Sequence, residues 1–209
     1  MTAGMDAADW DARYAATDLV WSATPNLWVA EIVGGLPPGR ALDVAAGEGR
    51  NAIWMVEQGW DVVAADYSPV AVDRMRRLAA DRLGDRAARL TALVADATQP
   101  APGGPAAYDL VLFSYLQLPE DEWRRALRAG VEATRVGGRV LVVAHALRNL
   151  TEGWGGPSDP AVLHDPDDVA ASAEGLAVEV ESAQLRRRPV STEDGEREAL
   201  DTVVILRRR

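Results

Sequence analysis

The ten residues Leu42–Asn51, LDVAAGEGRN, constrain this chain more than any other stretch. An apolar run carrying one acid gives way to small residues and two glycines, and then to helix-compatible sequence. A strand that feeds a tight turn and then a helix leaves a crevice at the carboxyl end of a parallel sheet, and ligands bind there. Gly47 and Gly49 suit the turn, because without Cβ they adopt unusual dihedrals and let a ligand touch the backbone. Arg50 to Gln58 reads as the helix and Gly59 as its stop.

The rest of the chain repeats this rhythm. Ala41–Ala45, Asp61–Asp66, Leu90–Asp96, Tyr108–Ser114 and Gly138–Ala146 are nearly continuously apolar, as strands buried on both faces must be. The class is α/β, with a parallel sheet covered on both sides. Thr24 before Pro25, Ser68 before Pro69 and Asp165 before Pro166 each place an N-cap residue ahead of a proline at the first helical position. Pro119–Thr134 opens with three acids suited to the positive end of a helix dipole, and RVGG stops it. Leu176–Leu185 and Glu198–Arg207 alternate apolar with polar residues around a turn-like STEDG, which predicts a terminal hairpin.

At 209 residues the expectation is one domain spanning 1–209, with an N-terminal helical cap over 1–35 and a substrate lid over 147–168. No run is apolar enough to span a membrane and the start is acidic, so a soluble, cytoplasmic protein without a membrane partner is expected. The 0 cysteines exclude disulfides, thiolate metal sites and catalytic thiols, and no metal site is predicted. All 22 basic residues are arginine, so a phosphate-loop or Schiff-base lysine is also excluded. A net charge of −10 argues against nucleic acid as a partner and leaves a small molecule. The runs Arg186–Arg188 and Arg207–Arg209 read as an exposed strand end and a solvated tail. Monomer and homodimer are equally compatible with the composition.

Three acids narrow the ligand. Asp66 ends the second strand 19 positions after Gly47, near the spacing at which an acid hydrogen-bonds ribose hydroxyls. Asp43 sits inside the first strand, where an ionised carboxylate suits an ammonium group and not a pyrophosphate. Asp96 ends the third strand, within reach of an exocyclic amine on adenine. Each alone also reads as a loop cap, and GEGRNA also fits the glycine pattern of nicotinamide-binding folds. Together the three suit a ligand of amino acid, ribose and adenine without phosphates.

LDVAAGEGRN, VVAADYS, VADAT and YDLVLFSYLQLP together resemble the motifs of the class I S-adenosylmethionine-dependent methyltransferases, a likeness running from Trp10 to Leu206. The form GEGRNA with an aromatic-rich N-terminus looks most like the small-molecule branch that includes tellurite-resistance and thiopurine-type enzymes. The resemblance implies a Rossmann-like doubly wound sheet of seven strands, mostly parallel with an antiparallel last strand and helices on both faces. It implies S-adenosyl-L-methionine as cofactor, held by Asp43, Ala45, Gly47, Gly49 and Asn51 in the first motif. Asp66, Tyr67 and Ser68 would serve the ribose side, Asp96 and Ala97 the adenine, and Ser114 and Leu116 the floor, with Arg13 and Tyr14 near the methionine end. One departure stands out: relatives usually carry glycine where this chain has Ala45, whose methyl would crowd the cofactor or be absorbed by a loop shift.

Methyl transfer from a sulfonium is an in-line displacement, so positioning in a dry pocket supplies much of the catalysis. An oxygen or nitrogen acceptor that must lose a proton benefits from a base, and a sulfide does not. His145, ending the fifth strand, is the candidate base, and a packing role is equally compatible with its place. His164 reads as a loop residue. Trp21, Tyr115 and Trp154 are the candidate substrate contacts, Trp154 near the tip of the Gly- and Pro-rich lid. Two other functions compete: a cofactor or partner binder without turnover, and an NAD(P)-dependent reductase.

Overall fold

The computed structural model describes residues 24–192 and 195–209. Seven strands, β1 (Arg40–Val44), β2 (Asp61–Asp66), β3 (Leu90–Val94), β4 (Tyr108–Ser114), β5 (Thr134–His145), β6 (Val178–Thr192) and β7 (Gly195–Arg208), form one sheet in the order β3-β2-β1-β4-β5-β7-β6. The first five pair in parallel, and β7 runs antiparallel to both β5 and β6. The strand order reverses between β1 and β4, whose carboxyl ends open the crevice that the sequence places there.

The alternation of side chains along the strands builds two cores from one sheet. Ala41, Val62, Ala64, Leu110, Leu112, Leu141 and Val143 face α1 (Leu27–Val33), α2 (Arg50–Glu57) and α3 (Pro69–Leu83). Leu42, Val63, Val111, Phe113, Val140 and Val142 face α4 (Glu120–Ala133) and α6 (Pro166–Ser172). A four-residue helix, α5 (Asn149–Glu152), follows β5. Helices therefore cover both faces, and no helix among the described residues is long and apolar enough to cross a membrane.

Several local expectations are corrected. The first helix is capped not by Thr24 but by Asn26, whose side chain accepts from the amides of Trp28 and Val29, so that Pro25 precedes the cap. The Ser68 cap holds, with Oγ accepting from Ala71 N at 3.1 Å. Asp165 caps α6 through a reciprocal pair with Asp168. β3 is not buried on both faces: it is an edge strand with a single neighbour, Val94 is 53% exposed, and the strand ends two residues before Asp96. RVGG does not follow the helix as a free stop, because Thr134 already pairs with Tyr108 and the stretch belongs to β5. The hairpin is longer than its apolar cores, since polar residues continue the ladder as far as Thr192 and Gly195.

Replacing Asn26 with alanine removes a buried helix cap; the expected outcome is a loss of about 1–2 kcal/mol in urea unfolding, with an unchanged slope.

Candidate active site

The loop after β1 turns through three left-handed residues, Ala45 (φ 57°), Gly47 (φ 57°) and Gly49 (φ 83°). Ala45 is the one that carries a Cβ there, a conformation that costs roughly 1–2 kcal/mol. Gly49 has no alternative, because a Cβ would stand 2.3 Å from Met75 Cγ on α3. The turn is held from below. Asp66 Oδ2 accepts from Gly47 N at 2.8 Å and Oδ1 from Ser68 N at 2.9 Å, so the acid ending β2 fixes both the glycine turn and the start of α3. Glu48, buried, pairs with Arg74 at 2.9 Å.

At the floor of this crevice Asp43 is 1% exposed, and among the described residues neither carboxylate oxygen has a partner at full hydrogen-bond geometry, although the backbone N–H of Ala52 favours its ionised form. Ser114 Oγ, at the end of neighbouring β4, is likewise buried without one. Burial pushes the Asp43 pKa up to about 7; the Arg50 charge pulls it down and Asp66 pushes it further up. A buried carboxyl at a strand end, unsatisfied within the protein, is a receptor for a donor that arrives with a ligand.

The sequence-selected residues fall into groups. Asp43, Gly47, Gly49, Asp66, Ser68 and Ser114 converge on the strand ends of β1, β2 and β4. Asn51 is buried in α2, where its Oδ1 accepts from Asn26 N at 2.9 Å. Tyr67 is half-buried at the end of β2. Asp96 is exposed, with Oδ1 accepting from both Thr98 N and Thr98 Oγ1 at 2.8 Å. Asp96 and Ala97 border a small apolar pocket against Leu42, Val44 and Phe113 under α4, on the opposite face of β1 from Ala41. Leu116, half-buried, packs against the core on that α4 side. Arg13, Tyr14 and Trp21 lie outside the described residues, as does most of the 1–35 segment.

Beside the crevice, the ends of β4 and β5 carry Tyr115 and His145, their rings stacked at 4.5 Å and 29°. Tyr115 is itself left-handed, φ 58°. Its hydroxyl accepts from Asn26 Nδ2 at 3.1 Å and donates to Asp201 Oδ2 at 3.0 Å. Asp201 is fully buried on β7 and also accepts from Trp28 Nε1 at 2.9 Å and Arg188 Nε at 2.7 Å. Burial holds the His145 pKa below the ordinary value, against the pull of Asp201. Burial, reinforced by the Asp201 charge, raises that of Tyr115. Trp154, in the loop after α5, is 49% exposed, with the Arg197 guanidinium 5.3 Å from its ring centroid.

Two sequence readings change here. Arg186–Arg188 is not a solvated strand end: Arg186 pairs with Glu31, Arg187 with Glu198, and Arg188 with the buried Asp201. His164 lies in a loop but is buried, its ring stacked 5.3 Å from that of Trp123. Sequence reasoning missed Asn26, Arg188 and Asp201. Asp201 had left a signal, an acid inside the apolar run ALDTVVIL like Asp43 inside ALDVA.

Residues 41–138 match the family model of a methyltransferase domain. The chain is 31% identical over 116 residues to demethylmenaquinone methyltransferase from Renibacterium salmoninarum, covering 54% of this chain and 44% of that one. It is 33% identical over 119 residues to glycine N-methyltransferase from Oryctolagus cuniculus, covering 51% and 40%. The chain thus spans less than half the length of these curated relatives. Among solved structures, the glycopeptide N-methyltransferase MtfA complexed with S-adenosyl-L-methionine superposes with a TM-score of 0.66 at 19% identity, covering 87% of this chain and 93% of that one.

Asp43→Asn removes an unsatisfied buried carboxylate and is expected to stabilise the ligand-free protein by on the order of 1–3 kcal/mol above pH 7. The sign follows from linkage. A carboxyl whose folded pKa is raised holds its proton longer in the folded state, so stability falls as pH rises from about 4 to about 7 and then levels. Thermal melts of both proteins across that range should therefore diverge with rising pH.

Proposed function

We propose, for a chain whose residues 41–138 match a methyltransferase domain, that it is a class I S-adenosylmethionine-dependent methyltransferase and transfers a methyl group from S-adenosyl-L-methionine to a small-molecule acceptor. The observation that carries this reading is the unpartnered, buried Asp43 carboxylate at the floor of the crevice. An amino-acid ammonium is the donor it lacks, and Ser114 Oγ stands beside it as a second waiting group. Asp66, whose carboxylate holds the glycine loop and the start of α3, stands at the strand end where ribose hydroxyls would lie. Asp96 and Ala97, just after β3, are the sequence-derived adenine contacts of this reading, and Tyr67 and Leu116 its sequence-derived neighbours.

The cofactor supplies an electrophilic methyl on a sulfonium; the protein's work is alignment and exclusion of water. The acceptor side is formed by Tyr115 and His145 at the ends of β4 and β5, under the lid that carries Trp154. The net charge of −10 supports a small acceptor over a polyanion. Arg13, Tyr14 and Trp21 belong to this reading as sequence-derived contacts.

Calorimetric titration with S-adenosylmethionine and S-adenosylhomocysteine, with NADH as control, tests the reading. Micromolar binding of the two adenosyl ligands and none of NADH is expected, and absence of adenosyl binding would overturn it. Asp66→Ala, which loosens the glycine turn as well as the ribose site, should weaken S-adenosylhomocysteine binding by roughly 10- to 100-fold in the same titration.

A further inference from the structure

His145 is held on three sides. Tyr115 stacks on its ring. Gly156 of the lid, φ 81°, comes so close that a Cβ there would stand 3.0 Å from Nδ1 and 3.1 Å from Cγ. Asp201 sits opposite His145 in the β5–β7 register, its Oδ1 3.7 Å from Nδ1. That Nδ1 is buried and has no hydrogen-bond partner.

The two oxygens of Asp201 are used unequally. Oδ2 takes the bonds from Trp28, Tyr115 and Arg188 Nε, whereas the bond to Oδ1 is a long one of 3.4 Å from Arg188 Nη2. Oδ1 is therefore the oxygen with capacity to spare, and it faces the orphan nitrogen across 3.7 Å, longer than a hydrogen bond, so that it favours a proton on Nδ1 through its charge. A neutral imidazole has one N–H, and the nitrogen that carries it is decided by which nitrogen has an acceptor. Among the described residues, the charged and titratable groups about the ring are Asp201 from β7, Arg188 from β6 and Tyr115 from the end of β4, with Arg50 6.0 Å from the centroid of the Tyr115 ring. Arg188 neutralises Asp201 in place, so the carboxylate orients the imidazole without forcing it to charge.

We propose that Asp201 is a positioning residue that fixes His145 with its proton on Nδ1, leaving Nε2 bare as the base toward an acceptor bearing an O–H or N–H. The inference rests on the methyltransferase reading. As the acceptor atom bonds to the methyl carbon, the carbon–sulfur bond breaks and its electron pair stays on sulfur. The acceptor's proton passes to Nε2 and then to solvent. A sulfide acceptor has no proton to lose and would not call for this arrangement, so the dyad assigns the acceptor to the hydroxyl or protonated-nitrogen class.

The chain contains 2 histidines, His145 and His164, which makes the tautomer directly observable. In full-length protein with 15N-labelled histidine at pH 8, two-bond nitrogen–proton spectra should show His145 protonated on Nδ1. Asp201→Asn should shift it to the Nε2–H form. An Nε2–H tautomer in the wild type, or a tautomer indifferent to Asp201→Asn, would overturn the proposal. Should Asp201→Asn fail to fold, the wild-type spectrum and that of Gly156→Ala decide, the latter losing the sharp single tautomer as the added methyl displaces the ring. His145→Gln should keep S-adenosylhomocysteine affinity within about threefold of wild type. A larger loss would place His145 on the cofactor and contradict the assignment. Failure of both proteins to bind that ligand would sink the methyltransferase reading alone, since the tautomer is read without it.

Discussion

A buried carboxylate with no side-chain partner among the described residues is the constraint around which this protein is arranged. Asp43 is sealed at the end of the central strand, and the fold leaves it unsatisfied at a cost that an apolar residue would avoid. Its neighbourhood is otherwise well satisfied: Asp66 holds Gly47 and Ser68, Glu48 holds Arg74, and Asn51 holds Asn26. The contrast between the unpartnered Asp43 and Ser114 and the engaged acids around them is what supports reading this place as a ligand site.

The second organising feature is a chain of polar contacts that crosses the top of the sheet. It runs from Asn51 on α2 through Asn26 at the cap of α1 and the Tyr115 hydroxyl after β4 to Asp201 on β7 and Arg188 on β6. Five segments are thereby registered to one another, and the helix after the glycine loop is tied to Tyr115 and, through Asp201, to β6 and β7. The segment 147–168 joins the same frame at its ends: Asn149 Oδ1 accepts from Leu200 N at 2.7 Å, and Thr202 Oγ1 donates to His164 O at 2.6 Å. A site built this way has its rigid parts on strand ends and its variable part on a loop.

The fold was largely legible in the sequence, because buried parallel strands must be apolar throughout and LDVAAGEGRN fixes where the crevice opens. Asp43 and Asp66 could be found because an acid at the end of an apolar run has few reasons to be there. Contacts between distant segments were not legible. Asp201 meets Trp28, Tyr115 and Arg188 through the sheet order, which no local pattern encodes. The Thr24 cap was misplaced because the rule followed the proline, whereas Asn26, two residues on, caps the helix and its Nδ2 donates to Tyr115. The strain at Ala45 is a backbone property, whereas the sequence suggested only a crowding methyl.

The most direct measurement is the proton balance of cofactor binding. Titrating S-adenosylhomocysteine at pH 6 in two buffers of different ionisation enthalpy counts the protons exchanged. A ligand ammonium that claims Asp43, whose pKa is held at about 7 in the free protein, must expel the carboxyl proton, and release of close to one proton is predicted. Binding with no buffer dependence would contradict the account, because the orphan carboxylate would then not be the group the ligand meets.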